Sequence, residues 1–166
     1  MSQMAESADD AAEKSAPEAE NAQSEKYLVF SILGKQYSFP SRFISEIALF
    51  DTVYPLPLMP PYVLGIINRY SVPYALFDIG LLLFKTPSPR SKVLVLKDDI
   101  DRIAFLIDDI SGIADIVPSD LFEIERNAES GDLTETVLAS FKWENNDVLV
   151  LDIQRILNYV TSEEAS

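Results

Sequence analysis

The sequence contains no histidine and no cysteine, and only five of its 166 residues are glycine. Without histidine, the chain lacks the most frequent general base and the commonest metal ligand of proteins. Without cysteine, it has neither a disulfide framework nor thiolate chemistry, which is typical of cytosolic proteins. The scarcity of glycine argues against loops that hold phosphate through backbone amides. Carboxylates remain as the candidate groups for chemistry.

Long apolar runs are also missing. No stretch of about 18 apolar residues occurs, so no membrane-spanning helix is expected. The first residues are acidic and do not form a basic segment followed by an apolar one, so no secretory signal is expected. We therefore expect a cytoplasmic protein without direct membrane insertion.

Basic residues are few, since 13 Lys and Arg stand against 27 Asp and Glu. This balance argues against binding of nucleic acid or of an anionic membrane surface, both of which rely on Lys and Arg. Residues 1–24 have no apolar periodicity and are predicted to form an acidic disordered tail. Residues 25–160 are predicted to fold as one domain, and residues 161–166 to be a disordered C-terminus.

Most of the remaining sequence consists of short β-rich segments separated by turns. Strands are predicted over residues 27–33, 36–39, 93–96, 102–107, 136–143 and 147–151, with a strand, bend and strand over residues 108–116. Short helices are predicted over residues 41–47, 80–84 and 152–157. Two segments are similar, Leu76-Phe77-Asp78-Ile79 and Val150-Leu151-Asp152-Ile153. This pattern indicates a mainly β fold of two related small barrels.

Two other segments carry specific expectations. In the helix over residues 41–47, Ser41 would cap the start, Phe43 and Ile47 would face inward, and Arg42 would pair with Glu46. Residues 51–61 contain four of the ten prolines and are predicted to form a stiff, extended connector. We expect its apolar residues to cover the core, and the alternative is that they present a hydrophobic surface.

The dense acidic clusters are Asp98-Asp99 with Asp101, and Asp108-Asp109. The first has a spacing faintly like that of a calcium loop, but the glycine and the closing glutamate are missing. Solvated turns and caps explain both clusters more simply. No catalytic residue, metal site or cofactor is predicted, and a carboxylate-dependent hydrolase or ion-binding protein is kept as an alternative.

Residues 65–79 read as an apolar strand, a polar interruption at Asn68-Arg69-Tyr70-Ser71, and a second strand that stops at Asp78. The interruption is too polar for a core and should lie at the surface. It is either a plain hairpin tip or a place where the protein meets a partner, for which Arg and Tyr are favoured residues.

Several motifs, taken in order over residues 25–160, resemble the CheW-like domain family, whose members couple chemoreceptors to the histidine kinase CheA. The central signature of this family has the form Gly-Val-Ile-Asn-Leu-Arg-Gly, followed by a strand that ends Pro-Val-x-Asp-Leu. The matching segments are Tyr27-Leu28-Val29-Phe30, the turn at Gly34, Ile44-Ser45-Glu46-Ile47, Leu56-Pro57-Leu58-Met59-Pro60-Pro61-Tyr62-Val63, Gly65-Ile66-Ile67-Asn68 with Asp78-Ile79, Phe105-Leu106-Ile107-Asp108-Asp109-Ile110 and Leu149-Val150-Leu151-Asp152-Ile153.

The resemblance implies a fold of two five-stranded, SH3-like β-barrels with short helices. It also implies a non-catalytic adaptor that is recruited to membrane-associated receptor arrays. Its expected partners are the cytoplasmic tips of chemoreceptors (methyl-accepting chemotaxis proteins) and the CheW-like regulatory domain of a CheA-type kinase. The implied receptor-binding residues are Ile44, Glu46, Gly65, Asn68, Arg69 and Tyr70. The implied kinase-binding residues are Ile107, Ile110 and Ile113.

The chain departs from the family at the hairpin tip, where Arg69-Tyr70-Ser71 stands in place of Leu-Arg-Gly, and at Ala75, where the family has proline. Tyr70 therefore occupies the arginine position, and Ser71 removes the tolerance of glycine for positive φ. Arg69 could supply the charge, but neighbouring strand residues point to opposite faces, and Tyr70 could instead pack across the hairpin. The alternative function is a CheW-like coupling module of another histidine-kinase pathway that no longer binds chemoreceptors.

Overall fold

The structure, a computed structural model, describes residues 24–97, 101–124 and 136–165, with side chains up to residue 161. Its strands are β1 (Glu25–Ile32), β2 (Lys35–Pro40), β3 (Ile44–Leu49), β4 (Val63–Arg69), β5 (Val72–Asp78), β6 (Lys92–Leu96), β7 (Ile103–Ile107), β8 (Asp109–Ile116), β9 (Phe122–Glu123), β10 (Val137–Trp143) and β11 (Asn146–Leu151). Its α-helices are α1 (Ile79–Phe84) and α2 (Ile153–Ala165). The predicted tail falls almost entirely outside the described residues.

The strands form two sheets with the same internal order. One sheet runs β3-β6-β7-β5-β4, and the other runs β8-β1-β2-β11-β10 with the two-residue β9 added at its edge. The parallel pair lies at the same place in each, between β5 and β7 and between β2 and β11. The first sheet uses one continuous stretch, residues 44–107, and we call it the contiguous unit. The other combines the two ends of the domain, and we call it the split unit.

The units also match residue by residue, which confirms the internal similarity seen in the sequence. The β4–β5 hairpin closes with Arg69 opposite Val72, and the β10–β11 hairpin closes with Trp143 opposite Asn146. Each hairpin has an irregular register near its start, at Gly65 and at Ala139. Positions in the two hairpins are therefore related by a constant offset, so that Trp143 is the counterpart of Arg69.

The outer edge strands β3 and β8 correspond in the same way. Ser45 is an extra residue in the ladder between β3 and β6, and Glu46 follows it opposite Val95. Ser111 is an extra residue in the ladder between β8 and β1, and Gly112 follows it opposite Val29. Gly112 is thus the counterpart of Glu46.

Three apolar clusters fill the molecule. One lies inside the contiguous unit, one inside the split unit, and the largest lies between the two units and the helices. Strand β1 contributes to two of them, because Val29 faces the interior of the split unit while Leu28 and Phe30 face the central cluster. This double burial explains why β1 is almost continuously apolar.

An aspartate begins each helix. Asp78 is buried, and its carboxylate accepts hydrogen bonds from the backbone N–H of Gly80, Leu81 and Ser88 at 3.0–3.2 Å. Asp152 accepts from the N–H of Arg155 at 3.1 Å. The predicted cap at Asp152 is confirmed, but α2 continues beyond residue 157 to Ala165, over residues for which a disordered C-terminus is predicted.

The helix predicted over residues 41–47 is wrong. Only Ser41–Phe43 forms a helical turn, of the 3₁₀ type, and no side chain caps it. The following residues form β3 because they pair with β6, where β-branched Ile44 and Ile47 are favoured. Ile47 is exposed, and Arg42 forms its ion pair with Glu25.

Three smaller expectations are also revised. Residues 51–61 form an irregular connector as predicted, and it covers the core only in part: Val53 and Met59 pack against core clusters, whereas Tyr54, Leu56 and Leu58 are exposed. Residues 109–116 form one continuous strand with a bulge at Ser111, without the predicted bend. Of the first acidic cluster only Asp101 is described, in an exposed turn, and Asp98 and Asp99 lie outside the described residues.

Candidate functional site

The β4–β5 hairpin carries the residues that the sequence singled out. Its two-residue turn consists of Tyr70 and Ser71, with φ of 53° and 68°. Two successive positive φ values are typical of the type I′ turn, whose twist matches that of the flanking strands. The predicted hairpin is confirmed, and Ser71 adopts the positive φ although it is not glycine.

An ion pair joins this hairpin to β3. The Arg69 Nε donates to Glu46 Oε2 at 2.9 Å, and its Nη2 donates to Oε1 at 3.1 Å. Since β3 and β4 are the two ends of the sheet order, the sheet must curl so that its edges face each other across this pair. We call this gap between β3 and β4 the seam. The hydrogen bond to Glu46 raises the pKa of Arg69 further above its ordinary value, so the guanidinium stays charged.

The ion pair is shielded from water on several sides. The Arg69 side chain is 31% exposed and that of Glu46 is 24% exposed. A shallow groove beside the pair is lined by Ser45, Tyr70, Val72, Tyr74, Val95 and Lys97. The groove combines apolar walls with polar groups at its rim, which is the composition of a protein-binding surface.

Tyr70 projects from the tip of the hairpin. Tyr70 is 84% exposed, and the guanidinium carbon of Arg69 lies 5.3 Å from the centre of the Tyr70 ring. This distance is within the range of a cation–π contact. The ring does not pack across the hairpin as the alternative interpretation proposed. It rests against Arg69 on one side and faces solvent on the other.

Gly65 lies behind the tip and is buried. It has a φ of 141°, and a Cβ atom there would lie 2.2 Å from the carbonyl oxygen of Tyr54. Tyr54 and Ile66 exchange backbone hydrogen bonds of 2.8 Å, so the connector lies along β4 at this point. Gly65 therefore allows the close approach of two backbone segments and offers no surface to a partner.

The remaining receptor-facing candidates divide between core and surface. Ile44 is half-buried and packs against the central cluster, so it supports β3 from behind. Asn68 is exposed at the end of β4. The structure thus brings Glu46, Arg69 and Tyr70 into one group, places Asn68 next to them on β4, and leaves Ile44 and Gly65 out of the exposed surface.

The predicted kinase-binding residues also differ in how exposed they are. Ile107 is fully buried in the central cluster and cannot touch a partner while the protein is folded, which corrects its inclusion in the predicted site. Ile110 is half-buried and Ile113 is 58% exposed, both on the edge strand β8. This strand begins at Asp109, where a hydrogen bond of 2.7 Å from Lys92 lowers the pKa of the carboxyl.

Large apolar side chains are exposed on β3 and on the connector, and for the connector the sequence left this open as the alternative to covering the core. Leu49 on β3 is exposed, as are the connector residues Tyr54, Leu56 and Leu58. Leu58 also has a positive φ of 60°. The proline-rich composition of the connector was the available signal, because proline keeps the chain extended and limits how far its side chains can fold back onto the core.

Within residues 24–97, 101–124 and 136–165, no group of three acidic side chains is arranged to hold a metal ion. In the same part of the chain, neither α-helix has the length and apolar character needed to cross a membrane.

Comparisons with known proteins add two findings. The CheW-like domain family matches residues 26–161 of the chain. Solved structures similar to it include the scaffolding protein TtCheW from Thermoanaerobacter tengcongensis, with a TM-score of 0.66 and 14% identity, over 76% of this chain and 83% of that chain. At this identity the likeness shows the fold, and the predicted mainly β fold and family resemblance are confirmed. The search of curated protein sequences finds no match to this chain.

Proposed function

The chain belongs to the CheW-like domain family, and from this premise we propose that it is a non-catalytic adaptor of chemotaxis signalling. It couples the cytoplasmic tips of chemoreceptors to the CheW-like regulatory domain of a CheA-type histidine kinase. It works in the cytoplasm and is recruited to membrane-associated receptor arrays. The observation that carries this proposal is the surface hairpin, in which Gly65, Asn68 and Asp78 match the family signature at the same spacing.

The receptor contact is proposed for the hairpin tip and the groove beside it. Asn68 and Tyr70 are exposed there, and the ion pair between Arg69 and Glu46 joins the hairpin to β3 beside them. The groove has apolar walls from Val72 and Val95. An apolar groove with a polar rim suits an amphipathic helix, which is the form in which a helical receptor tip would meet it.

The kinase contact is proposed for the edge of the split unit. Strand β8 pairs with β1 on one side, and Ile113 is exposed on it beside half-buried Ile110. An exposed apolar residue on an edge strand is favourable for contact with another β-rich domain. Asp109 and Asp115 flank the strand and limit nonspecific strand pairing.

The second candidate is a coupling module of another histidine-kinase pathway that keeps the kinase contact and lacks the receptor contact. The observation that favours it is the changed tip, since Tyr70 stands where the family has arginine. Both candidate functions use β8 for the kinase contact. They differ only in whether the hairpin binds a chemoreceptor.

A capture experiment separates the candidates. Tagged full-length protein is incubated with a CheA-type kinase and, separately, with receptor-bearing membranes, both from the organism that encodes the protein. Capture of both supports the adaptor, capture of the kinase alone supports the second candidate, and capture of neither at micromolar concentration contradicts both. Replacement of exposed Ile113 by aspartate is the matched variant, and it should reduce kinase capture at least tenfold while leaving receptor capture unchanged.

A further inference from the structure

The split unit has a seam of its own between β8 and β10, which corresponds to the seam between β3 and β4 in the contiguous unit. The two units close their seams at the same position by different means. In the contiguous unit, Arg69 reaches across to Glu46 through two hydrogen bonds. In the split unit, the counterpart Trp143 lies over Gly112, where an added Cβ would be 2.8 Å from the ring. The backbone registers assign Trp143 to the position of Arg69 and Gly112 to that of Glu46. The same molecule therefore closes one seam with an ion pair and the other with a tryptophan ring packed on a glycine.

This equivalence bears on what Arg69 does. In the split unit the uncharged side chain of Trp143 closes the seam, so closing a seam does not itself require a charge. The charge of Arg69 is explained by its pairing with Glu46. The guanidinium uses its Nε and Nη2 on that carboxylate, in a geometry that matches the planar fork of arginine. A carboxylate on a partner protein would have to compete with Glu46, which is already held at hydrogen-bonding distance.

Tyr70, unlike Arg69, is largely exposed and is available to a partner. It follows Arg69 directly, lies at the first position of the turn, and is 84% exposed. The ring is steadied on one side by the guanidinium, at 5.3 Å from its centre. An exposed tyrosine offers a large apolar ring and has only two rotatable side-chain bonds, so it loses little entropy on binding, which is the property of an interface anchor.

We propose that Tyr70 is the residue of the hairpin tip that contacts the partner, and that Arg69 is a positioning residue that closes the seam and orients the Tyr70 ring. This inference rests on the proposed adaptor function and specifies the chemistry of its receptor contact. The partner surface presents an apolar notch for the ring with a hydrogen-bonding group at its rim for the phenol. It does not present a carboxylate for an arginine.

The first test measures affinity for a purified cytoplasmic-tip fragment of a chemoreceptor from the same genome, together with thermal stability. Replacement of Tyr70 by alanine should weaken binding at least tenfold with an unchanged melting temperature, and replacement by phenylalanine should weaken it less. Glu144 is the counterpart of Tyr70 in the split unit, with a φ of 50°. Its replacement by alanine is the control and should leave affinity unchanged.

The second test transfers the seam of the split unit into the contiguous unit. Arg69→Met should lower the melting temperature, weaken binding less than threefold, and leave the salt dependence of binding unchanged. The double variant with Glu46→Gly and Arg69→Trp copies the pair formed by Gly112 and Trp143. It should raise the melting temperature above that of Arg69→Met and bind the receptor fragment at least as tightly as Arg69→Met does, although it carries no charge at either position.

Three results would overturn the inference. They are unchanged affinity of the Tyr70→Ala protein, a tenfold loss of affinity in Arg69→Met with a reduced salt dependence, and a stable double variant that no longer binds. If the double variant is unstable, the salt dependence of Arg69→Met decides the role of the charge. Failure of the wild-type protein to bind any receptor fragment would instead contradict the adaptor function, so the two failures are distinguishable.

Discussion

At the scale of single residues, Gly65 ties the connector to the hairpin. The backbone of Tyr54 and Pro55 passes so close to β4 that a Cβ at position 65 would lie within 2.8 Å of three of its atoms. The φ of 141° is also one that side-chain-bearing residues rarely adopt. Gly65 is therefore needed for the position of the connector, whose exposed Tyr54 lines a groove together with Asn68 and Arg69 of the hairpin.

Replacement of Gly65 by alanine should lower the free energy of unfolding by at least about 2 kcal/mol, because the new methyl group meets backbone that cannot move aside. Urea denaturation measures the change. Gly34→Ala is the matched control, since Gly34 also has a positive φ but no atom within 4 Å of an added Cβ. That variant should lose only about 1 kcal/mol, and equal losses in the two variants would show that the close approach at Gly65 has no energetic weight.

Arg69 and Tyr70 illustrate what single-residue reasoning can and cannot reach. The sequence shows that Tyr70 occupies the arginine position of the family, and the alternation of side chains along a strand predicts that Arg69 points elsewhere. The partner of Arg69 could not be predicted in this way. The local sequence predicts a helix that pairs Glu46 with Arg42, whereas the observed contact depends on how a curled sheet brings its first and last strands together.

At the scale of secondary-structure elements, the two hairpins use the same turn with different residues. Tyr70 and Ser71 form one turn, and Glu144 and Asn145 form the other, all with φ between 50° and 68°. Asparagine tolerates this conformation better than serine does, and glycine adopts it without steric cost. The tip that is proposed to bind the receptor is therefore the more strained of the two.

Replacement of Ser71 by glycine should stabilise the protein by about 1 kcal/mol through relief of the positive φ. The same replacement at Asn145 should give a gain of only a few tenths of a kcal/mol, since asparagine is already tolerated there. Chemical denaturation of both variants and the wild type makes the comparison. A larger gain at Asn145 than at Ser71 would contradict this account of the strain.

Strand prediction succeeded where apolar runs are long and failed where local cues conflicted. β1, β6 and β7 are apolar on both faces because each contributes to two clusters or lies between them, and such runs are recognisable in the sequence. β3 was mistaken for a helix because its first residues fit a capped helical turn. Its pairing with β6, which lies more than 40 residues later, overrides that local preference.

At the scale of the whole molecule, buried phenols link stability to pH. Tyr27 lies inside the split unit against Phe141, and Tyr37 lies in the central cluster against Phe84. Burial raises the pKa of both tyrosines above the ordinary value of 10.0. The folded protein therefore keeps protons that the unfolded chain releases, so the unfolded state binds fewer protons in alkaline solution.

The free energy of unfolding should consequently be independent of these groups below about pH 10 and should fall as the pH rises above it. Urea midpoints measured from about pH 8 to about pH 11, with tyrosinate absorbance as a second signal, test this expectation. The double variant Tyr27→Phe and Tyr37→Phe is the control and should show a shallower alkaline decline. An equally steep decline in the control would assign the effect to other groups.

The split unit has a consequence for the synthesis of the protein. A ribosome releases β1 and β2 first, but their neighbours β8 and β11 follow only after the whole contiguous unit has emerged. During that interval β1 can pair only with β2, and its remaining edge and both its apolar faces lack their final cover. Newly made chains at high concentration can meet through these edges, and a chaperone that shields residues 25–40 would act at this stage.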